Sequence, residues 1–90
     1  MLVHLSKNET VLKGEIVGIF DIERSTLSQD TRNFLKQMQN DLKTVSLCDD
    51  IPKAFVLCDN IYTDRVYITQ ISPESLVKRA NKSLSDQEQE

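Results

Sequence analysis

The sequence predicts a small α+β domain: an antiparallel or mixed sheet with a central helix and a C-terminal helix. Three observations carry this. Short apolar runs rich in β-branched and aromatic residues recur at "LVHL" (2 to 5), "EIVGIFDIE" (15 to 23), "KAFVLCD" (53 to 59) and "RVYITQI" (65 to 71). Between the second and third of them, "STLSQDTRNFLKQMQNDL" (25 to 42) has the apolar spacing of a helix. A Ser-Pro-Glu triplet at 72 to 74 then opens a second amphipathic stretch.

Taken in order, the first strand at 2 to 5 turns through "SKNE", where Asn8 suits a tight turn, into a short second strand at Thr10 to Leu12. Gly14 breaks the chain before the third strand at 15 to 22. That strand is apolar at consecutive positions, so another surface must cover its second side. Thr26 followed by Gln29 reads as a capping box, which starts a helix over about 26 to 41. Its inner face is formed by Leu27, Thr31, Phe34, Leu35, Met38 and Leu42, and Asp30, Arg32, Lys36 and Asn40 face water.

A fourth strand at 43 to 48 and a turn at 49 to 52 follow, and Pro52 cannot donate to a ladder. The stretch 53 to 59 is apolar throughout and reads as the central strand; "NIYTD" connects it to the strand at 65 to 71. Ser72 caps the last helix, over about 73 to 82, with Pro73 at its first position and Glu74 near its positive end. Leu76, Val77 and Ala80 are expected to face inward. One domain over 1 to 82 results, with an acidic tail at 83 to 90 expected to be disordered.

Lys and Arg total 11 against 14 Asp and Glu, and Asp86, Glu88 and Glu90 account for the difference. The body is therefore neutral, without the net field that draws a protein onto phosphate backbones. The start "MLVHLSKNE" has no cationic leader and no long apolar run, and no later stretch approaches the ~20 apolar residues of a membrane span. The expectation is a cytoplasmic chain without a membrane partner. Cys48 and Cys58 lie in apolar runs and are expected to be reduced core thiols.

Catalytic constellations are missing. His4 is the single histidine, no CxxC motif or histidine pair supplies a zinc site, and Gly14 and Gly18 are the only glycines, too few for a phosphate-cradling loop. The sequence therefore predicts no enzyme, no metal and no cofactor. The functional lead is a set of cations from strand ends and the last helix: Lys53, Arg65, Lys78 and Arg79.

"IVGIFD" (16 to 21), "TRNFLK" (31 to 36), "DDIPKAFVL" (49 to 57) and "YITQISPESLVKRA" (67 to 80) resemble the RemA/RemB family of bacterial extracellular-matrix regulatory proteins, closest to the RemB branch. The resemblance spans residues 1 to about 80. It implies an α+β domain that assembles into a homo-oligomeric ring and regulates transcription of biofilm-matrix genes. The RemA branch binds double-stranded DNA through arginines. At the matching positions this chain has Glu15, Asp50 and Ile51, and Lys53 alone keeps a positive charge in that loop. DNA binding by the loop is therefore expected to be weak or absent, because carboxylates repel phosphate. An oligomer would also cover the second side of residues 16 to 20, which makes Ile16, Val17, Gly18, Ile19 and Phe20 the candidate interface. Two readings stand: an oligomeric regulator with weak DNA contact, and an interaction module of the same fold that binds another regulatory protein.

Overall fold

The computed structural model describes the backbone of residues 2 to 88 and the side chains of residues 2 to 81. Strands β1 (Leu2–Ser6) and β2 (Glu9–Leu12) form an antiparallel hairpin. A 3-10 turn at Lys13–Glu15 leads to β3 (Ile16–Asp21), followed by helices α1 (Ile22–Ser25) and α2 (Gln29–Asn40). Then come β4 (Thr44–Ser46), β5 (Ala54–Asp59), β6 (Asp64–Thr69) and α3 (Pro73–Glu88). The last four strands make one mixed sheet in the order β3-β5-β6-β4, with β4 parallel to β6 and the other pairs antiparallel. This is the α+β class that the sequence predicts.

Each face of the sheet is covered by a different layer. Ala54, Val56 and Cys58 of β5 and Tyr67 of β6 point to the face covered by the hairpin (Val3, Leu5, Val11) and by α3 (Leu76, Ala80). Phe55 and Val66 point to the opposite face and meet Met38 of α2, with Leu35 and Ile22 beside them. A strand between two layers buries both of its sides, which is why 53 to 59 reads as unbroken apolar sequence. β5 indeed sits inside the sheet, between β3 and β6.

The helical region departs from the expected boundaries. Thr26 is not an N-cap but the C-cap of α1; its hydroxyl donates to the Ile22 carbonyl at 2.6 Å, and Asp21 N-caps the same helix by accepting from Arg24 N at 2.9 Å. α2 starts at Gln29 because Ser28 supplies the cap, and Arg32 bridges the junction by donating to the Thr26 carbonyl and to Gln29 Oε1. Two short helices thus replace one long one, and the expected inner face shrinks to Leu35 and Met38. Leu27 is 81% exposed and Phe34 is 37% exposed, so neither is a core residue.

Leu42 is also corrected, from helix face to helix end. It is 91% exposed and has φ 59°, in the left-handed region. Lys43 N donates to Met38 O at 2.9 Å and Leu42 N donates to Gln39 O at 3.1 Å, which is the Schellman pattern with leucine where glycine is usual. In α3, Leu76 and Ala80 are buried as expected, and Val77 lies on the exposed side, one residue around from the packed stripe. The backbone of α3 continues to Glu88, past the expected end near 82. No Gly or Pro occurs in 81 to 88 to stop it. Of the expected disordered tail, residues 89 and 90 lie outside the described residues.

β3 owes its pattern to an irregular register. Ile16 pairs with Cys58 and Gly18 with Leu57, so Val17 is an extra residue opposite no partner. The shift puts Ile16 and Ile19 on the same face, against the hairpin and α3 core. Gly18 and Phe20 share the other face, where Phe20 stacks on Phe55 with ring centroids 4.9 Å apart. A Cβ on Gly18 would lie 2.6 Å from two carbons of the Phe20 ring. The space above Gly18 is therefore filled by a residue of its own strand, not by a second backbone.

Candidate functional site

The most developed concavity among the described residues is a groove of about 830 Å³ along β1, closed on its other side by Leu47, Gln70 and Ile71 from the ends of β4 and β6. Among the described residues β2 is the one strand paired with β1, and β1 runs along this groove. Two side chains tie β1 to the rest of the fold. Thr69 Oγ1, from the end of β6, donates to the Leu5 carbonyl at 2.9 Å, and Arg79 Nη1, from α3, donates to the His4 carbonyl at 3.0 Å. Arg79 therefore stands at the groove wall with its remaining guanidinium donors available beside His4 and Lys7. Asp49 is the single carboxylate among the lining residues.

Of the cations read from the sequence, the structure brings only Arg79 into this groove. Lys78 is its exposed neighbour on α3 and does not line it. Lys53 is exposed, and its backbone extends the sheet: Lys53 N donates to Thr69 O at 3.0 Å and Lys53 O accepts from Ile22 N at 3.1 Å. Arg65 pairs with Cys58 at the opposite end of β5, five residues or roughly 17 Å from Lys53 at ~3.3 Å per residue. It lines a smaller cleft, of about 290 Å³, together with Glu15. Lys53 and Arg65 therefore do not form one basic face. The residues missed from sequence are His4 and Lys7, which share the groove with Arg79 only because the hairpin packs against α3; no local pattern announces that.

The loop at 49 to 53 is exposed at Asp49, Asp50 and Ile51, and Asp50 Oδ1 accepts from Ile51 N at 2.8 Å. Two carboxylates thus precede Lys53 in an exposed loop at one end of the sheet. In the small cleft, burial and then the Glu15 carboxylate push the Cys58 thiol up to about 11. Cys58 lies at the Arg65 end of β6 and Cys48 beyond Ser46, which pairs with Ile68. The two thiols are roughly 16 Å apart along the sheet, so they cannot bridge within one chain.

The candidate interface residues also divide. Ile16 and Ile19 pack inward, Gly18 lies under the Phe20 ring, and Val17, 63% exposed, points outward with part of Phe20. β3 is an edge strand, so this outward side adjoins an unpaired backbone edge. Among the described residues no group of His, Cys, Asp and Glu could hold a metal ion, and no helix is long and apolar enough to cross a membrane. Compared with known proteins, the chain matches no family model and no curated sequence.

Proposed function

We propose that this chain is a non-catalytic cytoplasmic regulator of the RemA/RemB kind, which acts on extracellular-matrix gene expression as a homo-oligomer. The observation that carries the reading is the edge strand β3, which presents Val17 and part of Phe20 to solvent next to unpaired backbone groups. Free edges of this kind are pairing sites unless charge or a cover blocks them, and among the described residues neither stands at Val17. Val17 also occupies the register shift, where a bulge re-aims side chains outward. A contact from this edge to a different surface on the next copy is head-to-tail and closes into a ring if its rotation permits.

The test is sedimentation of the parent and of Val17→Glu. The parent is expected to assemble at tens of micromolar, and the variant to be monomeric with an unchanged circular dichroism spectrum. A monomeric parent, or a variant that assembles like the parent, refutes the reading.

A second reading, weak binding of duplex DNA, rests on Lys78 and Arg79, both exposed on α3 and repeated around an assembly. It assigns no phosphate contact to the 49 to 53 loop. Asp49→Arg with Asp50→Arg is expected to strengthen DNA binding in a gel-shift assay, and Lys78→Ala with Arg79→Ala to remove it. The salt slope should fall by about 0.9 for each phosphate that the second pair no longer neutralises. Binding unaffected by either pair excludes both surfaces.

A further inference from the structure

We infer that the groove beside β1 is the seat of the acidic C-terminal part of α3 from a second copy of this chain; the inference rests on the self-association reading and names its contact. The groove carries His4, Lys7 and Arg79 against the single carboxylate of Asp49, and among the described residues it is the one place where the fold gathers distant basic side chains at a concavity. Its complement is in the same chain. Outside Asp86, Glu88 and Glu90 the chain has 11 cations and 11 carboxylates (14 less these three), so the acidic excess lies entirely at that end.

On one continuous helix Asp86 lies seven residues, ~10 Å, past Arg79, so a chain's own acidic end is carried past its groove. The groove lies at the β4 side of the sheet, and β3 is the opposite edge. α3 leaves the end of β6 and packs on β1 and β3. Ala80 is its last buried residue among the described side chains, and the backbone helix continues for eight more residues, ~12 Å, to Glu88. A neighbour whose groove takes Asp86 and Glu88 makes a head-to-tail contact, the same kind as that proposed for the β3 edge. Arginine suits the role because its fork holds carboxylates in two-point geometry while one nitrogen keeps the His4 carbonyl.

The experiment measures assembly of the full chain by sedimentation in four forms: parent, Lys7→Glu with Arg79→Glu, Asp86→Lys with Glu88→Lys, and all four changes together. Each double variant is expected to weaken assembly about tenfold or more, and the combination to recover most of the loss, because the charges are exchanged across one contact. Lys7→Glu alone, in an exposed turn, serves if Arg79→Glu disturbs folding; it is expected to weaken assembly in the same direction. Double variants that assemble like the parent overturn the inference, as does a combination no better than either double. If Val17→Glu breaks the assembly and the charge variants do not, the self-association reading stands and this contact falls. If the parent is monomeric, that reading falls, and a fluorescent peptide of residues 81 to 90 decides the groove by itself. Saturable binding that disappears in Lys7→Glu supports the seat, and no binding up to roughly 1 mM at low salt overturns it.

Discussion

Thr69 joins the two sheets, and replacing it with valine isolates that link. The side chain is 1% exposed, donates from Oγ1 to the Leu5 carbonyl at 2.9 Å and accepts from Ile71 N at 3.2 Å. Valine keeps the shape and removes both bonds. An orphaned buried carbonyl costs ~1–3 kcal/mol, and the half-buried Ile71 N–H adds less because water can reach it. The extra methyl returns up to ~1 kcal/mol of apolar burial, which leaves a net loss of about 1–3 kcal/mol. At ~4–8 °C per kcal/mol for a domain of this size, the melting midpoint falls by roughly 5 to 20 °C. Thr69→Ser keeps the hydroxyl and loses one methyl, about 0.8 kcal/mol. Urea unfolding of the three proteins should therefore rank Thr above Ser above Val, with hydrogen exchange of the β1 amides fastest in Val. A valine variant as stable as the serine variant would show that burial, not the hydroxyl bridge, holds the hairpin to the sheet.

Other perturbations probe the elements that the sequence misplaces. Met38→Ala is expected to cost ~2–5 kcal/mol and Phe34→Ala less than ~1.5, measured by urea midpoints, since only Met38 is buried. Leu42→Gly should stabilise by about 1 kcal/mol, because leucine there holds a left-handed φ of 59° with no burial to lose. Gly18→Ala should cost ~1–3 kcal/mol by displacing the Phe20 ring, and almost nothing when Phe20 is already alanine; equal costs in both backgrounds would refute the overlap. Cys58 sets an alkaline limit. Its folded value near 11 lies above the ordinary 9.0, so the folded state keeps a proton that the unfolded state sheds. The resulting stability is complete below pH 9 and disappears as pH rises toward 11, at most ~2–3 kcal/mol. Cys58→Ala should lose less stability than the parent between pH 8 and 10.5.

The features legible in the amino-acid order are local ones. The apolar run at 53 to 59 marked an interior strand, because a strand covered on both faces has no polar alternation. Ser72 and Pro73 marked the start of α3, because capping and a fixed φ act within one turn, and Ser75 N does donate to Ser72 Oγ at 3.2 Å. The break between α1 and α2 was harder to read, since Thr26 with Gln29 and Ser28 with Thr31 both offer a hydroxyl ahead of a helix. The choice was made by Thr26 turning its hydroxyl back onto Ile22. The remaining features come from contacts between distant elements. Which face Phe20 takes depends on a register shift opposite Cys58, and the meeting of Arg79 with His4 spans 75 residues. Periodicity reports which side of an element is apolar but carries no distance between elements. Lys53 and Arg65, close in sequence, therefore ended at opposite ends of a hairpin, while Lys7 and Arg79 came to share one groove.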